Sequence, residues 1–372
     1  MKKEAMTLVG VGDVLIDRED PDSIFRYVAD VLRSGDITYA NCEQMYSDKG
    51  ARVKKLSTYS HPRNIAALQN AGIDVISLAN NHTLDHGPEA LLDTMERLKT
   101  AGLPYIGVGK NLAGARQPVI LESKGTTVGF LAYNSVGPEG YEAGENKPGY
   151  APIRAWTFYQ QWDPQPGTPA RVISVPYTSD LLAMMDDIRK LRSQVDVLVV
   201  CPHWGQHFMP HVVPMYCLDI GHAAVEAGAD IVLGTHSHML KGIEIYKGKA
   251  IFYATGNFAI EMCDGTTMGV PAIEAIKAMS DFYQYVPDPD YPTYPCHPEA
   301  KPTMIVKALI EDGSIKQVRY VPCYVNTLAE PEIVTRADPR AQEVFDYVEA
   351  ISRSQRFGTR FTWDGDEIII HS

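Results

Sequence analysis

Along its first third the chain alternates short β-rich runs with helical patterns: TLVGVGD, DSIFRYVADVLRS, DITYANCE, NIAALQNAG, DVISLAN, PEALLDTMERLKTAG and PYIGVG. A strand that is repeatedly followed by a helix and then by another strand builds an α/β architecture. Two extended runs, PVILES and TTVGFLAY, flank the turn signal Lys124-Gly125. They read as a hairpin, which makes the sheet mixed rather than purely parallel.

The rhythm breaks at residues 134–176, a stretch rich in Gly, Pro and aromatics with no clear period. It reads equally as an insertion or lid over a site and as a surface excursion. Helix and strand patterns resume with SDLLAMMDDIRKLRS, VDVLVVC, VPMYCLDIGHAAVEAGA and DIVLG, followed by a hairpin turned at Lys247-Gly248. A second Pro- and Tyr-rich excursion, 261–300, precedes a hairpin at Asp312-Gly313, a helix (PRAQEVFDYVEAISRS) and a strand (EIIIH). The expected organisation is one domain over 1–330, with insertions at about 134–176 and 261–300. A helix-strand extension over 331–372 packs on the same domain.

Composition narrows the function classes. With 45% hydrophobic and 22% charged residues over 372 positions, the chain can bury a large core. Lys+Arg 34 against Asp+Glu 46 gives a net charge of −12, interspersed, so no basic stripe exists to meet nucleic acid. Six cysteines (Cys42, Cys201, Cys217, Cys263, Cys296 and Cys323) form no CxxC pair and suit reduced, buried thiols. The apolar run at the N-terminus is broken by Gly10, Gly12 and Asp13, which fits neither a signal peptide nor a membrane span. A cytoplasmic protein with no membrane partner is expected.

The chemistry collects where strands end. TLVGVGD ends in Asp13, ITYANCE in Asn41 and Glu43, and DVISLAN runs into Asn80-Asn81-His82. VLVVC leads to Pro202-His203, and DIVLG to Thr235-His236-Ser237-His238. Sites in open α/β sheets lie outside the carboxyl ends of the strands, so these residues can converge. Singly each is weak: an Asp after a strand is usually a turn residue, and a lone His is more often satisfied by hydrogen bonds. The His236-x-His238 pair is stronger, because alternate residues of an extended segment point the same way. Carboxylates with imidazoles suit Zn, Mn or Fe, and six or seven donors exceed one tetrahedral site. Two ions sharing a bridging carboxylate, with Glu43 as the bridge, would use them all. GVGDVL begins like a dinucleotide fingerprint, but Leu15 stands where the third glycine belongs and Asp13 would face the pyrophosphate. His203 and His207 share a helical spacing, but glycine and proline argue against a helix there, which leaves His207 at the rim.

In order along the chain, GDVL (12–15), NCE (41–43), SLANNHTLDHG (77–87), HWG (203–205), GADIVLGTHSH (228–238) and YATGNF (253–258) closely resemble the bacterial CapA family of poly-γ-glutamate capsule biosynthesis proteins. That family lies within the calcineurin-like metallophosphoesterase superfamily, and the resemblance covers roughly residues 6–260. It implies a metallophosphoesterase-like, four-layer α-β-β-α sandwich of two mixed sheets, with two metals at the strand ends. It further implies that Asp13 and His238 bind one metal, that Asn81, His203 and His236 bind the other, and that Glu43 bridges them. His82 matches a histidine that contacts the reacting group. Leu15 departs from the superfamily pattern, which has a histidine there, so one ion or two can result. Glu43 replaces the common bridging Asp, and His207 stands where relatives often carry Glu.

The implied activity is hydrolysis by a metal-activated water, with His82 as the catalytic acid and a phosphoester of a small organic molecule as substrate. An amide or γ-glutamyl linkage in a short peptide-like substrate needs the same water. The rival from another class is a non-catalytic component of polyglutamate assembly. Asp85, His207 and Asn257 are candidates for orienting ligands or substrate, although Asp85 before Pro88 equally reads as a helix cap. The aromatics of 134–176 (Tyr141, Tyr150, Trp156, Phe158, Tyr159 and Trp162) read as an apolar wall or as the insertion's own core. Arg154 and Lys147 read as anion contacts or solvated charges.

Overall fold

The computed structural model of the chain describes residues 3–53, 57–161, 163, 167–262 and 272–372. Trp162 and Cys263 lie outside the described residues. Met6–Leu15 is the central strand of the larger sheet. On one side it pairs in parallel with Ile37–Cys42, which continues to Val75–Ser77 and Tyr105–Ile106. On the other it pairs antiparallel with Pro302–Glu311, followed by Ser314–Val325, Glu367–His371 and Arg360–Asp364. The short strand Asn257–Ile260 runs parallel to its last residues and aligns Asn257 with Asp13. In the smaller sheet Val197–His203 lies between Thr126–Asn134 and Ile231–Leu233, all parallel, and Lys249–Phe252 extends the parallel run. Val119–Ser123 and Ile243–Tyr246 close its two edges antiparallel.

Alternation along the strands makes the layers. Val128, Phe130 and Ala132 face the core shared with the larger sheet, and Leu131 and Tyr133 face the other way. There they meet Met184 and Ile188 of helix Thr178–Arg192 and Ile220 and Ala224 of helix Met215–Ala227. A residue period of two thus separates an inter-sheet core from a sheet-helix core. Helices Ile65–Asn70 and Gly87–Ala101, which connect parallel strands of the larger sheet, cover its far face with Leu68, Leu91 and Leu98. The result is an α-β-β-α sandwich of two mixed sheets.

The three hairpin turns carry the backbone their sequences require. Lys124-Gly125, Lys247-Gly248 and Asp312-Gly313 all have two consecutive positive φ angles, as a two-residue turn between right-twisted strands demands. The glycines of GVGD serve packing. A Cβ on Gly12 would stand 1.9 Å from the Gly256 carbonyl oxygen, so only glycine lets the first strand approach the loop that leads to Asn257.

The excursion at 134–176 is not a lid. Its hairpin, Ala155–Gln160 with Arg171–Pro176, leaves Trp156, Phe158 and Tyr159 exposed, with Trp156 stacked on Tyr177. Tyr150 is buried in the inter-sheet core and Tyr141 packs against it. Arg154 is held by both carboxylate oxygens of Asp180, and Lys147 donates to the Gly140 carbonyl. The cover comes from the other excursion, where helix Ala272–Tyr283 lies over them. Among the described residues no helix is long and apolar enough to cross a membrane.

Candidate metal centre

Asp13, Glu43, His203, His236 and His238 are all buried at the carboxyl ends of the strands, where the two sheets meet. Two groups of ligand atoms form, Glu43 with His203 and His236, and Asp13 with Glu43 and His238. Within each group the atoms lie inside 4.8 Å of one another, and Glu43 belongs to both.

The first group is the tighter. His203 Nε2 stands 2.8 Å from Asn81 Oδ1, 3.1 Å from His236 Nδ1 and 3.1 Å from Glu43 Oε1. Thr235 Oγ1, 2.9 Å from His203 Nδ1, turns the other face of that ring inward. Two of these four converging atoms are oxygens that carry no proton, and Glu43 Oε1 is buried without a directed hydrogen bond. Hydrogen bonds among these groups leave Glu43 Oε1 unsatisfied, and a divalent cation would engage all four atoms at once. In the second group His238 Nε2 lies 3.8 Å from Glu43 Oε2, and His238 Nδ1 lies 3.9 Å from Asp13 Oδ2. Asn257 Oδ1 accepts from His238 Nδ1 at 2.7 Å, which aims Nε2 at Glu43. Asp13 is fixed by Asn41 Nδ2 at 2.8 Å and by the His236 backbone N–H at 3.2 Å. Leu15 contributes no donor and packs against Phe208 and Ile260 in an apolar cluster.

The backbone route of the two histidines differs from an extended segment. His236 has φ 91° and His238 φ 56°, both in the left-handed region that non-glycine residues avoid. Their side chains reach a common centre through a strained turn, of the kind that persists where the surroundings over-determine it. His207 is not on a helix either. Its ring packs 3.9 Å from that of His236 and 4.9 Å from that of His238.

Electrostatics follow from burial and crowding. Desolvation pushes the Asp13 carboxyl well above the usual carboxylate range, and the charge of Glu43 adds to it. Desolvation also works to raise Glu43, but the neighbouring His238 and the short contact with His203 outweigh it and hold this carboxyl well below that range. Burial lowers His203, His207 and His236, and neighbouring imidazoles lower them further, against an opposing pull from Glu43 at His203 and His207. These three rings are therefore neutral at pH 7, the form in which imidazole binds metal.

The polar loop after Val75–Ser77 divides its labour. Asn80 donates to the Cys42 carbonyl at 2.7 Å and accepts from the His82 N–H at 2.9 Å, and Thr83 Oγ1 donates to the Leu78 carbonyl at 2.7 Å. These bonds hold the loop while Asn81 and His82 face the centre. Asp85 Oδ2 lies 2.6 Å from His82 Nδ1 and accepts from the Thr58 N–H at 2.8 Å. Helix Gly87–Ala101 begins after His86 with no side-chain cap, so Asp85 orients His82 rather than capping the helix. Asn41, Thr235 and Tyr294 also shape the centre. Asn41 and Thr235 stand at the strand ends where the sequence collects polar groups, whereas Tyr294 lies in the Pro- and Tyr-rich excursion, whose composition alone does not mark it.

The family described as "Bacterial capsule synthesis protein PGA_cap" matches residues 7–262. "PGA biosynthesis protein CapA" of Bacillus subtilis (strain 168) is 28% identical over 68% of this chain and 62% of its own length. "Capsule biosynthesis protein CapA" of Bacillus anthracis is 27% identical over 70% of this chain and 61% of its own length. The match thus spans about three fifths of each of these relatives. Among solved structures, the calcineurin-like phosphoesterase YfkN from Bacillus subtilis aligns over 94% of this chain and 99% of its own, at 12% identity and a TM-score of 0.39.

Proposed function

This chain belongs to the bacterial capsule synthesis protein PGA_cap family, and we propose that it is a metal-dependent hydrolase that acts on a phosphoester of a small organic molecule. The observation that carries this reading is Glu43, buried, shared by two groups of ligand atoms, with Oε1 lacking a directed hydrogen bond. Asp13, Glu43 and His238 would hold one divalent ion, and Glu43, Asn81, His203 and His236 the other, with Zn, Mn or Fe suited to these donors. Ions so held supply Lewis acidity, acidifying a water and offsetting negative charge on the reacting group.

This chain's own residues do the rest. His82 lines the cavity that opens onto Glu43 and His238, and its Nδ1 is held by Asp85, so Nε2 is the atom free to give a proton to a departing oxygen. Asp85 is itself fixed by the Thr58 N–H, which keeps the imidazole from swinging away. Helix Ala272–Tyr283 limits the access of bulk water.

The names of the Bacillus relatives support a second reading, an accessory role in poly-γ-glutamate assembly, with either γ-glutamyl hydrolysis or no catalysis. Turnover separates the readings. The protein loaded with Mn, Zn or Fe is assayed on a panel of phosphoesters and γ-glutamyl amides, beside Asn81→Ala and His82→Ala. Phosphoester turnover that both variants lose while keeping their circular dichroism supports the proposal. Stoichiometric metal with no turnover of any phosphoester defeats it.

A further inference from the structure

A cavity of about 490 Å³ opens onto Glu43, His82 and His238, a volume that suits a small organic ligand. Its walls are apolar: Leu15, Phe208 and Ile260 come from the sheet side, and Met279, Phe282 and Tyr283 from helix Ala272–Tyr283. Leu15 thus fills a position beside the centre with hydrocarbon. Phe208 and Tyr283 meet edge to face at 5.5 Å. Among the described lining residues there is no Lys or Arg. The acid besides Glu43, Glu261, is neutralised by Arg18 Nε at 2.7 Å, and that guanidinium also reaches Glu330 at 3.0 Å. A polyanion would find no countercharge on these walls.

The helix is tied to the centre. Tyr283 Oη lies 3.2 Å from His207 Nδ1, and the His207 ring packs on His236. His207 Nε2 is buried with no hydrogen-bond partner, a polar atom on an otherwise apolar wall. Phe282, one residue before this tie, is 78% exposed, unusual for a phenylalanine whose helix already packs on the domain.

We infer that the cavity receives an uncharged aryl group carried by the substrate, with the scissile linkage toward Glu43 and His82 and the ring between Leu15 and Met279. This names the substrate class of the hydrolase proposed above and rests on that reading. Aromatic walls with an offset or edge-on ring, a Met sulfur and no countercharge favour an aryl moiety over a carboxylate-bearing polymer.

Calorimetric titration of the manganese-loaded protein with phenylphosphonate and methylphosphonate tests this, because both present the same anion to the centre and neither is hydrolysed. Phenylphosphonate is expected to bind at least tenfold more tightly, and the ratio to fall toward one in Met279→Glu and in Phe282→Glu. The second substitution is at an exposed position, so its folding is not at risk. Equal affinities, tighter methylphosphonate, or a ratio that neither variant changes would overturn the inference. Turnover of phenyl phosphate, measured alongside, keeps the two ideas apart. An aryl preference without turnover sinks only the hydrolase reading, and turnover without an aryl preference sinks only the cavity assignment.

Discussion

His203 Nε2 and His236 Nδ1 stand 3.1 Å apart although 33 residues separate them. Each ring is held in place by its own strand end, His203 as the last residue of Val197–His203 and His236 in the strained turn after Ile231–Leu233. Burial lowers the proton affinity of both imidazoles, so neither of these two rings sets a positive charge against a cation in the space between them and Glu43.

That arrangement makes metal content the most direct test. Glu43→Gln is expected to remove metal from both groups, since its two carboxylate oxygens face different ligand sets. Asp13→Asn and His203→Ala are each expected to affect one. Elemental analysis of the purified proteins reads the difference, and full stoichiometry in Glu43→Gln would rule out a bridging role. Chelation of the native protein is expected to lower Tm by roughly 5 °C, because a ligand that binds only the folded state stabilises it by mass action.

How far the centre is legible in the sequence depends on how each residue is placed. Asp13, Glu43, Asn81, His203 and His238 each follow an apolar run, and a parallel sheet aligns such ends along one edge, so their nearness can be read before any coordinates. The backbone that carries His236 and His238 cannot. A positive φ at a histidine leaves no mark on the sequence, and the extended segment inferred there is in fact a left-handed turn. Helix Ala272–Tyr283 is hidden for a different reason. Its apolar residues recur, but proline and glycine before it and Pro-Tyr repeats after it make the whole stretch look irregular. The aromatic hairpin at 155–176 misleads in the opposite sense. Its composition suggests a wall for a ligand, yet on this two-stranded hairpin Trp156, Phe158 and Tyr159 are exposed on both faces.

In the proposed hydrolysis, His82 and Asp85, 2.6 Å apart, form a pair that acts on substrate rather than on metal. His82→Ala is expected to lower kcat by about 10²–10⁴-fold, the range for losing a positioned proton donor. Metal content should stay unchanged. Asp85→Asn should give a smaller loss of kcat with some loss of stability, because the carboxylate also accepts the Thr58 N–H. A His82 variant that loses metal in proportion to activity would place His82 among the ligands instead.

Lys241 offers a pH signature outside the chemistry. Burial lowers its ammonium from 10.5 to about 8, with Glu299 opposing the shift, and its Nζ donates to the Met209 carbonyl. The folded state therefore gives up this proton before the unfolded state does. Between pH 8 and pH 10.5 the unfolded chain binds more protons here, so this site's contribution to stability rises with pH across that window. The full difference is at most about 3 kcal/mol. Lys241→Met should flatten the rise, and urea unfolding at pH 7.5 and pH 10 compares the two proteins. Equal slopes in both would show that Lys241 keeps its ordinary proton affinity.

Asn257 is the point where the candidate metal centre depends on the second excursion. Its Oδ1 accepts from His238 Nδ1 at 2.7 Å, and its Nδ2 donates to Tyr294 Oη at 2.8 Å, which in turn donates to the Ala300 carbonyl at 2.7 Å. All three side chains are buried, so no water competes for these bonds and the chain fixes which nitrogen of His238 faces Glu43. Removing a partner of this kind from a ligand histidine typically weakens metal binding by about 10–100-fold. Asn257→Ala is expected to do so for the ion held by Asp13, Glu43 and His238, while the ion at His203 and His236 is retained. Tyr294→Phe removes only the outer link, so Asn257 can still reach His238 and a weaker effect should follow. Competition with a chromogenic chelator resolves the two ions by affinity. If Asn257→Ala weakened both equally, the two groups would be coupled through Glu43 more strongly than through their separate histidines. If it weakened neither, His238 would be oriented by the left-handed turn alone.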